Sequence, residues 1–143
     1  VCGVMTDNMA MLGGGGVFGE ARSSLDLKNV TLRMNGAPTG GGISCLSCAS
    51  TTLDASIIAG NTAQAGNGGG LSIVGTATVT MAETEVAGNA AQGDGGGLFV
   101  EDAGSVDLQG VECSDNSATA DGPLRRPTTS NPRPVLAPAA VWL

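Results

Sequence analysis

Glu85 and Glu112 are the residues from which chemistry would start. They lie 27 positions apart in a chain that repeats with the same period, so their carboxylates fall into register on neighbouring repeats. Two carboxylates about 5 Å apart suit retaining glycoside hydrolysis. Asp26 and Asp107 share a second column, with Thr52 and Thr80 between them. Asn67, Asp94 and Asp121 form a third, just before the glycine runs, and their oxygens are of the kind that binds calcium. Against catalysis, Thr31 and Ile57 fill the rest of the Glu85 column, so that pair is isolated. Two Phe, one Trp and no Tyr leave almost nothing for sugar stacking, and the absence of His removes the usual triads and the commonest metal ligand. The expectation is a protein without a catalytic site and without a required cofactor, calcium at the third column being the alternative to a solvated acidic loop.

Four cysteines add little chemistry. Cys45 and Cys113 fall at inward positions, where a thiol packs as a small apolar group. Cys45-x-x-Cys48 is a candidate local disulfide across a bend, with no second pair to make a zinc site. Cys2 stands alone near the start. Asn29-Val30-Thr31 is a glycosylation sequon at an outward position.

The element that positions these groups is a repeat. Asn8, Asn35, Asn61, Asn89 and Asn116 follow one another at spacings of 27, 26, 28 and 27. Glycine runs follow at Gly13 to Gly16, Gly40 to Gly42, Gly68 to Gly70 and Gly95 to Gly97, with a degenerate one at Gly122. Such a period marks a stacked repeat architecture. Aligned on the Asn, apolar or small residues recur ten, eight, five and three positions earlier. These are Leu25, Leu27, Val30 and Leu32, then Thr51, Leu53, Ser56 and Ile58. Val79, Met81, Thr84 and Val86 follow, and then Val106, Leu108, Val111 and Cys113.

The step of two within each pair is that of a strand with one buried face, and the step of three between pairs implies a bend. After each glycine run a third strand points Ile43 and Cys45, Leu71 and Ile73, or Leu98 and Val100 inward. Three short strands and three bends per repeat describe one coil of a right-handed parallel β-helix. A single coil cannot bury its own apolar face, so neighbours must stack. Four to five coils are expected, with four rising on the order of 20 Å. In such a stack each Asn amide would donate to the carbonyl of the next coil and accept from the one before, forming a structural ladder. Glycine beside it permits close approach.

An apolar residue three before Asn, paired with a Gly-Gly-Gly-(Ile/Leu) run, resembles the repeats of polymorphic outer membrane proteins, bacterial autotransporter adhesins with Gly-Gly-Ala-Ile and Phe-x-x-Asn motifs. The matching residues are Met5-x-x-Asn8, Leu32-x-x-Asn35, Ile58-x-x-Asn61, Val86-x-x-Asn89 and Cys113-x-x-Asn116, within residues 5–122. The chain departs from the pattern in lacking Phe in the first motif and Ala in the second. The resemblance, shared with pectate-lyase-like β-helix proteins, implies the β-helix and a cell-surface adhesive or structural role. Fold alone does not fix that role. Gly93-Asp94-Gly95-Gly96-Gly97 is similar to glycine- and aspartate-rich calcium repeats but lacks their nonapeptide period.

Charge narrows the partners. Residues 1–122 hold all 13 acidic residues against Arg22, Lys28 and Arg33, a net of −10. Such a body repels nucleic acid and anionic membranes, and no run is long enough to span a bilayer. The missing initiator Met and signal peptide read as an internal or processed segment. Thr76, Thr78 and Thr80 line one strand as in ice-binding β-helices, but Ala103, Ser105 and Asp107 stand in the next coil, so the rank does not propagate.

The repeat stops at Gly122, and residues 123–143 carry five of the six prolines. That tail reads as an extended linker, or as an end-strap in which Trp142 and Leu143 cover the last coil. The function expected is a non-catalytic extracellular or cell-surface structural or adhesion module. Its partners would be neighbouring β-helix coils or subunits and surface glycans. The alternatives are a carbohydrate-active β-helix enzyme and a glycan-, calcium- or ice-binding module.

Overall fold

The computed structural model describes residues 3–75 and 77–119, with the backbone alone of residues 141–142. Cys2, Thr76, Asp121, Gly122 and most of the proline-rich tail, including the side chains of Trp142 and Leu143, lie outside the described residues. The described residues contain strands and no α-helix. In chain order, β1 (Gly3–Thr6) and β2 (Val17–Glu20) open the fold. β3 (Ser24–Lys28), β4 (Val30–Arg33), β5 (Gly36–Ala37) and β6 (Ile43–Leu46) follow. The same quartet recurs as β7 (Ser50–Asp54), β8 (Ile57–Ala59), β9 (Thr62–Ala63) and β10 (Leu71–Val74). It recurs again as β11 (Thr78–Ala82), β12 (Glu85–Ala87), β13 (Ala90–Ala91) and β14 (Leu98–Glu101). β15 (Ser105–Gln109), β16 (Glu112–Ser114) and β17 (Ser117–Ala118) close the stack, and β18 (Val141–Trp142) returns from the tail.

Corresponding strands pair in parallel and in register, giving a β-solenoid of four sheets with orders β1-β4-β8-β12-β16, β2-β6-β10-β14-β18, β3-β7-β11-β15 and β5-β9-β13-β17. The expected inward columns line up. Leu27, Leu53, Met81 and Leu108 are Cα partners in succession, as are Leu32, Ile58, Val86 and Cys113. Leu53, Ile58, Val79, Met81 and Val86 are fully buried, so the core is a single column of side chains running through the coils. Pairing across coils makes almost every ladder contact long in sequence, and no coil is complete by itself.

Each coil has four strands rather than the three expected. The additional one is the two-residue strand after the ladder Asn, whose buried Ala37, Ala63 and Ala91 fill the corner. Two residues are too few to show an alternation in the sequence. The corners share a device. In most coils, each is turned by a residue in the left-handed region. Asp7, Met34, Gly60, Gly88 and Asp115 occupy one such column, and Asn29, Ala55, Glu83 and Gly110 another. Left-handed backbone bends the chain from one sheet into the next within one residue, at a cost of roughly 1–2 kcal/mol wherever a Cβ is present.

Glycine is required where coils touch backbone to backbone. A Cβ on Gly42 would come within 2.7 Å of the Gly70 carbonyl oxygen and 3.2 Å of the Asn61 side chain. At the far end, β18 pairs antiparallel with β14, Phe99 opposite Trp142 and Val100 opposite Val141. The end of the tail thus lies as a strap strand on one sheet edge.

Candidate functional site

The five ladder asparagines form one continuous chain of hydrogen bonds. The side-chain amide nitrogens of Asn8, Asn35, Asn61 and Asn89 each donate to Oδ1 of the next Asn at 3.0 Å. The same oxygen accepts the backbone N–H of the preceding Asn at 2.9–3.1 Å. The second amide hydrogen turns the other way. Asn35, Asn61, Asn89 and Asn116 donate to the carbonyls of Met5, Leu32, Ile58 and Val86 at 2.8–3.0 Å.

The carbonyl bond therefore runs to the previous coil, opposite to the sense expected from sequence, while acceptance from the previous coil is as expected. The reason is capacity and geometry: the next Oδ1 already accepts a backbone and an amide N–H, and the second amide hydrogen diverges from the first, toward the carbonyl of the previous coil. Asn35, Asn61 and Asn89 are buried, and each is satisfied at every polar position. The geometry assigns these residues to holding coils in register.

Glu85 and Glu112 are Cα partners on β12 and β16, in the column with Thr31 and Ile57. Both are exposed, and neither lines a groove described below. Asp26 and Asp107 share a column with Thr52 and Thr80 and stand three strand steps apart, about 14 Å. Asp26 sits 4.0 Å from Lys28, and Gln109 donates to Asp107 at 3.0 Å.

In the loop column, Oδ1 of Asn67 accepts the backbone N–H of Asp94 at 2.8 Å, and the carbonyls of Asn67 and Asp94 accept from Gly40 and Gly68. Asn67 is thus engaged in holding the loop, and Asp121 lies outside the described residues. Among the described residues no three His, Cys, Asp or Glu converge as a metal site. The threonine rank does not propagate, as expected: Thr78 and Thr80 lie opposite Ser105 and Asp107, and the column through Thr78 otherwise holds Ser24, Ser50 and Ser105.

Cys45 and Cys48 form a disulfide with a Cα–Cα distance of 5.8 Å, and both are buried. Hydroxyls of Thr51 and Ser23 donate to the two sulfurs at 3.3 and 3.4 Å. Cys113 stands in the inward column but is exposed, because no described coil covers it. Its open side meets solvent while the coil beneath desolvates it, which pushes the thiol above its ordinary pKa. Asn29 is exposed at a left-handed corner, its N–H bound to the Asp54 carbonyl at 3.0 Å, and its side chain is free of the ladders.

Among the described residues, two surface depressions stand near the predicted ladder residues and the post-glycine sheet. One, of about 420 Å³, runs along the corner of Asp7, Met9, Met34 and Gln64. The other, of about 440 Å³, lies on the outer face of the β2-β6-β10-β14 sheet. There Phe18, Ser44, Ser72 and Phe99 form one outward column, and Glu20, Leu46, Val74 and Glu101 the next. Both phenylalanines of the chain stand in this single column. Sequence reasoning missed the groove by following only the inward positions of the post-glycine strands; the opposite parity of the same strands would have found it.

Comparison with known proteins finds no matching family model, no matching curated protein and no matching solved structure.

Proposed function

We propose that this chain is an extracellular or cell-surface structural module, a stiff β-solenoid whose ends join further coils. One observation carries the reading: large exposed apolar residues are concentrated at the first coil, where the strand edges are open. Val4, Met9, Met11 and Leu12 are 70–93% exposed there, and β1, β2 and β3 pair with described strands on one side only. Exposed apolar surface beside unpaired strand edges is what a coil presents to another coil.

At the other end β15, β16 and β17 are likewise paired on one side among the described strands, whereas β18 occupies the β14 edge. The hydrogen-bond polarity matches head-to-tail joining. Each inner rung donates a backbone and an amide N–H onward to the next Asn Oδ1, so continuing the pattern would direct Asn116 donors to the Asn8 Oδ1 of a following copy. The buried disulfide and the exposed sequon Asn suit an oxidising, secretory setting. The repeat resemblance to surface adhesins points the same way. We read Glu85 and Glu112 as solvated surface residues and assign no catalysis.

Light scattering across a concentration series tests this on residues 1–143 and on a version ending at Gly122. The reading predicts growth into larger assemblies, stronger without the tail because the β14 edge is then open. Monomers at every concentration in both forms would contradict it.

A further inference from the structure

We infer that the groove on the outer face of the β2-β6-β10-β14 sheet is a binding site for a neutral polysaccharide chain lying along the solenoid axis. The site is on the side of the stack, and its first-coil end, with Leu12, Phe18 and Glu20, adjoins the edge proposed to join further coils. Its floor is Ser44 and Ser72, only 7% and 4% exposed. Neither hydroxyl has a hydrogen-bond partner among the described residues, yet neither is a sealed orphan, so both open into the groove. Such recessed, unpartnered hydroxyls are poised for a ligand's donors and acceptors.

The walls supply the rest. Phe18, a residue 44% exposed, stands at one end, and Leu46 and Val74 form an apolar flank. Glu20 and Glu101 stand at either end of that flank, three strand steps or about 14 Å apart. A sugar ring has an apolar face for the Phe18 ring and the aliphatic flank, and hydroxyls that donate to carboxylates and serines.

Charge and backbone geometry select among occupants. Among the described residues that line it, the groove has two carboxylates and no cationic side chain, so these residues repel a polyuronate. An extended peptide is disfavoured too. β6, β10 and β14 spend their main-chain groups on strands at both sides, so the face over them offers no backbone partners for strand addition; only the β2 edge is open. Side-chain hydroxyls, carboxylates and one aromatic face remain, and those are the groups a neutral glycan uses.

The test is a titration of the 143-residue protein, followed by amide NMR, with cellohexaose, mannohexaose and xylohexaose, with hexagalacturonate as the anionic probe and a glycine-serine hexapeptide as the extended-chain probe. At least one neutral hexamer should shift the signals of residues 44, 46, 72 and 74, and the other two probes should not. Replacing both Ser44→Ala and Ser72→Ala removes two hydroxyls without adding bulk at these recessed positions and should weaken binding roughly tenfold or more. Phe18→Ala, at an exposed position, should weaken it without disturbing the fold, as judged by an unchanged amide spectrum elsewhere. The inference is overturned if no neutral hexamer binds, if hexagalacturonate or the peptide binds as well, or if both variants bind like the parent.

Discussion

Asn61 shows at the residue scale what holds the coils together. Its amide donates to the Leu32 carbonyl and to Asn89, and its oxygen accepts twice from Asn35. Asn61→Ala strands these partners in a buried column and should cost about 3–5 kcal/mol in urea unfolding. Asn8→Ala, at the exposed end rung, should cost no more than about 1 kcal/mol, and equal losses at both would refute a cooperative ladder. Ala55 carries the opposite expectation. It holds a φ of 47° at an exposed corner where Gly110 serves in another coil. Ala55→Gly removes left-handed strain of roughly 1–2 kcal/mol and adds unfolded-state entropy of about 0.5–1 kcal/mol. A small net gain in melting temperature should result.

Cys113 has a raised pKa, so at neutral pH its thiolate fraction is below that of a free cysteine. With Cys2→Ser in place, native alkylation should modify one thiol, more slowly than it modifies free cysteine. The sign for stability follows: the folded state holds this proton to higher pH than the unfolded chain. Its contribution is full below the unfolded pKa and falls as pH rises through the folded one.

At the element scale, the coil depends on glycine as much as on its apolar columns. Gly42→Ala places a Cβ against the Gly70 carbonyl and Asn61, neither of which can retreat without opening the stack. A loss of about 1–3 kcal/mol is expected, with hydrogen exchange rising first at the β6 and β10 amides. The inward columns and the register were legible because a period of about 27 residues repeats the same parity four times. Leu27 over Leu53 over Met81 needs only alignment on the Asn. The fourth strand was not legible, since Thr62-Ala63 is too short to alternate. The direction of the carbonyl bond was hidden as well, because it depends on which face of each amide oxygen is already taken. The groove is a matter of outward parity: Ser44 and Ser72 read as ordinary surface serines until the neighbouring coils wall them in.

On the scale of the whole molecule, the two ends differ. The first coil presents open edges and exposed apolar side chains, and the last presents the upper face of the core column, with one sheet edge held by β18. Stacking the first coil of one copy on the last coil of another would continue the ladder from Asn116 to Asn8. It would also place Met5 over Cys113, since Met5, Leu32, Ile58, Val86 and Cys113 form one column. Adjacent parallel strands lie about 4.8 Å apart, within reach of a disulfide.

The most direct measurement is therefore oxidative cross-linking of a Met5→Cys variant ending at Gly122, with Cys2→Ser to remove the competing thiol. The account predicts a ladder of covalent multimers whose peptide maps join position 5 of one copy to Cys113 of another. Protein that stays uncross-linked, or links found only between identical positions, would contradict head-to-tail joining.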